Sequence, residues 1–98
     1  MITLNKILYP AVFQPEEVGY SVWIPDIPGC VSQGDTLEET YENIKDALGL
    51  FIEEQKYTKS YILLEASKPE DIKVDKGQFI ALVEFDWGSY RKKREIGQ

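Results

Sequence analysis

The clearest hydrophobic pattern in the chain marks an amphipathic helix. Between residues 37 and 52, apolar side chains recur at spacings of three and four, and charged or polar residues occupy most positions between them. This period describes a helix with one buried face and one solvated face. The predicted buried face consists of Leu37, Tyr41, Ile44, Ala47, Leu48, Phe51 and Ile52.

A capping sequence marks the start of this helix. The Thr36 hydroxyl can accept a hydrogen bond from the amide of Glu39, whose side chain can reach back to the Thr36 amide. Asp35 adds a negative charge near the positive end of the helix dipole. Gly34 ends the segment before the cap. We therefore predict that the helix begins directly after Thr36.

Alternating apolar and polar residues, together with many β-branched and aromatic side chains, predict four strands. Their predicted ranges are 4–13, 20–24, 30–33 and 79–85. Pro10 cannot donate a ladder hydrogen bond, so the first strand either lies partly on a sheet edge or contains a bulge. The last strand has apolar residues on both faces, which is typical of a central strand. The order β-β-β-α-β predicts a two-layer α+β domain with a mainly antiparallel sheet.

A turn rich in proline and glycine joins the second and third predicted strands. Pro25 and Pro28 restrict two φ angles, and Gly29 permits a positive φ. A sharp corner that delivers the chain to the helix start explains these three residues without any ligand. Asp26 lies between the prolines, where a short carboxylate can either stabilise the turn by hydrogen bonding or contact the basic groups of a partner.

Composition narrows the class of protein. A chain of 98 residues with 43% hydrophobic residues forms one small globular domain, because chains of this size bury only roughly 60% of their unfolded surface. The longest apolar run, residues 79–83, is too short for a membrane helix, and the N-terminus lacks a signal-peptide pattern, so we expect a cytoplasmic protein. With one cysteine and no histidine, we expect no internal disulfide, no metal and no cofactor.

The charge is unevenly distributed. Residues 1–86 contain 7 basic and 16 acidic residues, a net charge of −9, and residues 87–98 have a net charge of +3. An acidic body repels nucleic acid and attracts basic proteins. Acidity that serves only solubility explains the same numbers. We therefore predict two regions, a globular domain over residues 1–86 and a basic C-terminal tail over residues 87–98.

Catalysis is a weaker hypothesis. A two-metal nuclease needs several carboxylates that converge on two ions, and the candidates near strand ends are Asp26, Asp35, Glu84 and Asp86. Each has a simpler explanation as a turn, helix-start or strand residue. The chain has no histidine to act as a base, and Cys30 is better explained as a small buried residue than as a nucleophile. We predict no catalytic residue and no enzymatic activity.

Two segments resemble a known family. The sequences YPAVF (residues 9–13) and IPDIPGCVSQGDTLEE (residues 24–39) are similar to those of HicB proteins, the antitoxins of HicA–HicB toxin–antitoxin modules. The resemblance extends through EETYENIKDALGLFIEE and FIALVEFD and covers about residues 7–86. It implies a partial RNase-H-like fold. It also implies binding and masking of HicA, a small basic RNA-cleaving toxin with a double-stranded-RNA-binding-type fold.

Three residues are candidates for toxin contact. Asp26 and Asp35 offer carboxylates, and Trp23 lies on the strand face opposite Tyr20, Val22 and Ile24, where an aromatic side chain can anchor an interface. Core packing is the simpler explanation of Trp23. The alternative functions are a stand-alone oligomeric protein-binding domain and a metal-dependent nuclease. Because uncovered sheet edges favour association, we expect a homodimer or homotetramer.

The basic tail departs from the family pattern. Family resemblance implies a DNA-binding segment, helix-turn-helix or ribbon-helix-helix, after the antitoxin domain, whereas this sequence stops at Gln98. Arg91, Lys92, Lys93 and Arg94 fit a linker into a missing DNA-binding segment, a phosphate-binding patch or a solvated terminus. DNA is an expected partner only if such a segment is missing from this sequence.

Overall fold

The computed structural model describes residues 6–57 and 65–86. These residues form the strands β1 (Lys6–Pro15), β2 (Tyr20–Trp23), β3 (Val31–Gly34) and β4 (Phe79–Asp86), the helix α1 (Leu37–Tyr57) and one 3-10 turn (Pro69–Asp71). The strands pair in the order β3-β2-β1-β4, and every pair is antiparallel. Helix α1 covers one face of this sheet. The predicted two-layer α+β domain with the order β-β-β-α-β is confirmed.

The hydrophobic core lies between α1 and the sheet. Tyr9, Ala11 and Phe13 contribute alternate residues of β1, and Val22 and Val83 contribute residues from its two neighbours. The helix contributes Ile44, Leu48 and Ile52, which are almost completely buried. Tyr41, Ala47 and Phe51 pack against this cluster while partly exposed. With one cysteine, the chain cannot form an internal disulfide. Burial of this apolar surface is therefore the main term that stabilises the domain.

The predicted helix face is wrong at its first residue. Leu37 is 41% exposed, whereas Thr40 is completely buried. A Cβ atom added to Gly34 would lie only 2.6 Å from the Thr40 Oγ1, so the first turn of α1 meets β3 through Thr40. The buried face therefore follows residues 40, 44, 48 and 52, and Leu37 lies at its margin.

Among the described strands, β1 is central and pairs with both β2 and β4. The prediction that residues 79–85 form a central strand stays a prediction. Ile80 pairs with Val12 on the sheet face away from α1, and Leu82 on the same face is 41% exposed. The pattern of apolar residues along a strand reports on its two faces. It does not report on the hydrogen bonding along its two edges.

Pro10 lies in the central strand at a position where its missing amide costs little. The β1–β4 register runs without interruption from Lys6 to Phe13, so no bulge occurs at Pro10. The β1–β2 register covers only Val12 to Pro15. At Pro10, β1 therefore has one neighbour among the described strands, in agreement with the alternative that this strand lies partly on an edge.

Candidate functional site

The segment rich in proline and glycine folds as two consecutive β-turns. The Ile27 amide donates to the Ile24 carbonyl (3.0 Å), and the Cys30 amide donates to the Ile27 carbonyl (3.1 Å). Pro25 and Pro28 each occupy the second position of a turn, where their restricted φ is favourable. The Ile24 amide also donates to the Cys30 carbonyl (3.0 Å), which closes the corner between β2 and β3. The predicted role of the prolines as a rigid corner is consistent with this geometry.

Gly29 takes the third position of the second turn with a φ of +87°. No neighbouring atom lies within 4 Å of a Cβ added there, so only backbone conformation opposes a side chain. We expect Gly29→Ala to lower the free energy of unfolding by about 1–2 kcal/mol in chemical denaturation. Gly29→Asn should lose less, because asparagine adopts positive φ more readily. Equal losses in both variants would contradict the backbone explanation.

Cys30 is buried at the end of the second turn. Burial raises the pKa of its thiol from an ordinary value of 9.0 to about 11. Because the thiolate is the reactive form, a protonated and buried thiol is a poor nucleophile at neutral pH. The structure confirms the prediction that Cys30 is a small buried residue.

The Cys30 thiol should react slowly with Ellman's reagent in the folded protein. Because burial raises the pKa of the thiol to about 11, far less thiolate is present at pH 7.5 than in an unfolded chain, and burial also hinders access of the reagent. Unfolding in guanidinium chloride should restore the rate of a free thiol. Because the unfolded chain loses the thiol proton first, stability should fall as the pH rises from 9 towards 11. Equal labelling rates in folded and unfolded chains would contradict this burial, and Cys30→Ser serves as the blank.

Asp26 connects the double turn to the segment that follows α1. Its two carboxylate oxygens accept hydrogen bonds from the Ser67 amide (2.7 Å) and the Ser67 hydroxyl (2.6 Å). Burial, and secondarily the negative charge of Asp26, raises the pKa of the Tyr9 hydroxyl. Asp26 thus stabilises a long-range connection. Its contact with a toxin stays a prediction.

The helix start matches the predicted cap in one half only. The Glu39 amide donates to the Thr36 hydroxyl (3.1 Å), as predicted. The Glu39 carboxylate accepts from the Asp35 amide (2.8 Å), so the predicted bond to the Thr36 amide is replaced by one a residue earlier. The glutamate side chain is long enough to pass the cap residue and satisfy this donor. The Thr40 hydroxyl donates to the Thr36 carbonyl (2.6 Å), which adds a bond in the first turn.

Asp35 borders a polar depression of about 460 Å³ between the β1–β2 turn and the start of α1. Glu16 and Glu39 also line it, so three carboxylates surround one volume. Hydrogen bonds from Ser21 and then Gln14 lower the pKa of Glu16. This end of the sheet therefore carries concentrated negative charge at neutral pH.

Trp23 lies on the sheet face opposite α1, and the predicted orientation opposite Val22 is confirmed. It stands between Val12 of β1 and Val31 of β3, and Val12 in turn faces Ile80 of β4. Cross-strand pairs of this kind stabilise a sheet. Val31 is 63% exposed, so the β3 end of this row presents apolar surface to the surroundings, whereas Val12 is only 2% exposed.

A groove that sequence reasoning missed lies between the first half of α1 and the adjoining ends of β1 and β4. Its volume is about 330 Å³. We call it the α1–β4 groove and define it by Phe13, Leu37, Glu38, Tyr41, Glu42 and Phe79. The groove was missed because Leu37 was predicted to be buried. Leu37 is the first residue of the helix, and this terminal position is the sequence signal that could have indicated its exposure.

The three predicted toxin-contact residues do not form one site. Asp26 follows β2, and Asp35 follows Gly34, which pairs with Tyr20 at the other end of β2. Trp23 belongs to the face opposite α1. A small partner protein that binds one of these surfaces would therefore not contact all three residues.

The residues considered for a nuclease are also dispersed. Asp26 and Asp35 lie at opposite ends of β2, and Glu84 lies on β4, two strands away. Within residues 6–57 and 65–86, no three cysteine or acidic side chains are close enough to hold a metal ion. In the same residues, no helix is long and apolar enough to cross a membrane. The basic residues Arg91, Lys92, Lys93 and Arg94, and the tail 87–98 as a whole, lie outside the described residues.

Known proteins similar to this chain share both its sequence and its fold. "Antitoxin HicB 1" of Photorhabdus laumondii is 48% identical over 46 residues, which are 46% of this chain and 30% of that protein. The alignments with two further relatives span 35% and 64% of their lengths. The chain therefore spans about a third to two thirds of the curated relatives it matches.

Solved structures agree with this relationship. The N-terminal domain of the Burkholderia pseudomallei antitoxin HicB superimposes with a TM-score of 0.72 at 25% identity, over 82% of this chain and 99% of that one. A chain of the HicA3 and HicB3 toxin–antitoxin complex matches in fold, with a TM-score of 0.67 at 24% identity and the same coverage. The model of the HicB-like antitoxins of bacterial toxin–antitoxin systems matches residues 9–95. This chain therefore belongs to the HicB-like antitoxin family.

Proposed function

We propose that this chain neutralises a HicA-like RNA-cleaving toxin by binding it and masking its active site. The observation that carries the proposal is the family match over residues 9–95. The similar structure of a HicA3–HicB3 complex supports a toxin as the kind of partner. We further propose that the chain acts in the cytoplasm and by contact alone, without catalysis.

The charge of the helix supports a basic partner. Helix α1 contains six acidic residues and two lysines. Glu38, Glu42 and Asp46 are exposed and lie four residues apart, so they form one acidic ridge along the helix. Such a ridge attracts a positively charged protein during encounter and repels nucleic acid. This surface suits a toxin that is itself built to bind RNA.

Co-purification tests the proposal. The chain is co-expressed with a HicA-like toxin, taken from the same operon or from a close relative, and the complex is assayed for RNA cleavage. We expect a stable complex that does not cleave RNA, while the toxin alone does. Failure to bind a toxin from the same operon would contradict the proposal and favour a stand-alone protein-binding domain. RNA cleavage by this chain alone with Mg²⁺ would favour a nuclease.

We also propose that the chain assembles as a homodimer or homotetramer. Val31 of β3 is 63% exposed, and β3 lies at an edge of the described sheet. Both features favour association because exposed apolar surface and strand edges are stabilised when covered. Light scattering at micromolar concentration should report a dimer or tetramer, and a monomer would contradict this.

A further inference from the structure

The α1–β4 groove exposes apolar surface beside the acidic ridge. Phe13 and Phe79 stack at its base, with ring centroids 5.3 Å apart and planes within 9°. Tyr20 supports Phe79 from the edge, at 6.3 Å and 86°. Leu37 borders the groove and is 41% exposed. The base is thus held rigidly by aromatic contacts, while one wall remains accessible.

The opposite side of the groove is held in place by a bond between the two layers of the domain. The Tyr41 hydroxyl donates to the Leu82 carbonyl of β4 (3.0 Å). This bond fixes the distance between α1 and β4 along the groove. The groove has a volume of about 330 Å³. This volume is at the small end of the range for ligand-binding pockets, about 300–1,000 Å³. Its size suits one or two side chains better than a separate small molecule.

The acidic residues at the border of the groove favour a partner in which a basic residue lies beside the inserted apolar side chain. Glu38 and Glu42 line the groove one helical turn apart, and both are exposed. Like charges at this spacing repel each other on a helix. A lysine or arginine placed between them relieves the repulsion. The groove therefore combines an apolar base with a cation-binding border.

We propose that the α1–β4 groove is where the toxin docks, by inserting an apolar side chain that is flanked by lysine or arginine. This inference rests on the proposed antitoxin function and names the surface that performs it. The occupant follows from charge complementarity, because the groove opens beside the acidic ridge of a domain whose residues 1–86 have a net charge of −9. The groove is a different surface from those of Trp23, Asp26 and Asp35, the three contact residues predicted from the sequence.

Two changes test the groove against the purified HicA-like toxin of the co-purification experiment. Leu37→Ser removes the exposed apolar wall and should weaken binding about tenfold or more, mainly through faster dissociation. The double variant Glu38→Gln with Glu42→Gln should slow association roughly threefold at low salt, with the difference vanishing at high salt. Biolayer interferometry at two salt concentrations measures both rates, and circular dichroism verifies folding.

Matched changes outside the groove serve as controls. Leu50 is 58% exposed on the same helix, so Leu50→Ser repeats the leucine change elsewhere. Glu54→Gln with Glu70→Gln removes the same charge at two exposed positions outside both the groove and the acidic ridge. Both controls should bind within about twofold of the parent chain. Equal losses in groove and control variants would reduce the effect to net charge or stability and overturn the proposal.

The remaining outcomes separate this inference from the proposed function. If the parent chain binds the toxin and Leu37→Ser binds equally well, the toxin docks elsewhere and only the groove proposal fails. If Leu37→Ser also dissociates a dimer without changing toxin affinity, a second copy occupies the groove, and the proposal fails again. If the parent chain does not bind the toxin, both proposals fail together.

Discussion

Leu48→Ala is expected to lower the free energy of unfolding by about 2–4 kcal/mol. Leu48 is completely buried at the centre of the helix face that packs on the sheet. Its truncation removes apolar burial and leaves a cavity among well-packed neighbours, and both effects favour the unfolded chain. For a domain of this size, such a loss is a large fraction of total stability. Urea denaturation followed by circular dichroism measures the change.

Leu50→Ala is the matched control for this prediction. It makes the same chemical change two residues away on α1, where the side chain is 58% exposed. Its effect should stay within about 0.5 kcal/mol, as for most surface substitutions. A loss below about 1 kcal/mol for Leu48→Ala would mean that the helix packs through a different face in solution.

Asp26→Ala is expected to lower the free energy of unfolding by about 1–3 kcal/mol. The change removes both acceptors of the Ser67 amide and hydroxyl and leaves these donors without their partner. Hydrogen bonds to a charged acceptor are the stronger kind, and a part-buried donor left unsatisfied adds a desolvation cost. Urea denaturation again provides the measurement.

A double-mutant cycle distinguishes this connection from other roles of Asp26. Ser67→Ala removes the hydroxyl bond (2.6 Å) alone, so its loss should be smaller, and the double variant should lose less than the two single losses added. Additive losses would show that the two side chains act independently. Toxin affinity is measured on the same variants. A large loss of affinity with unchanged stability would instead favour Asp26 as a toxin contact.

Much of the fold could be predicted from local patterns. Thr36 marked the helix start because its hydroxyl accepts a hydrogen bond from the Glu39 amide. The amides of the first helical turn have no backbone acceptor within the helix. The spacing of Ile44, Leu48 and Ile52 described the buried face because a helix repeats every 3.6 residues. Pro25 and Pro28 marked the corner because their restricted φ suits the second position of a turn. Each of these signals depends on residues close together in the chain.

The candidate site was less predictable, because it depends on residues far apart in the chain. Phe13 and Phe79 stack across two strands that are separated by more than sixty positions in the sequence. The hydrophobic period of the helix predicts Leu37 as a core residue. In the structure, Thr40 packs against Gly34 and so determines how the first turn of the helix meets the sheet. No local pattern gives the position of one layer relative to the other.

The sequence by itself determined the element order, the capped helix, the rigid corner and the resemblance to an antitoxin family. Only the tertiary structure decided that β1 lies between β2 and β4 and that Asp26 binds Ser67. The physical reason is one of range. Backbone conformation and amphipathic period are properties of neighbouring residues, whereas strand order and surface grooves depend on which distant surfaces bury each other.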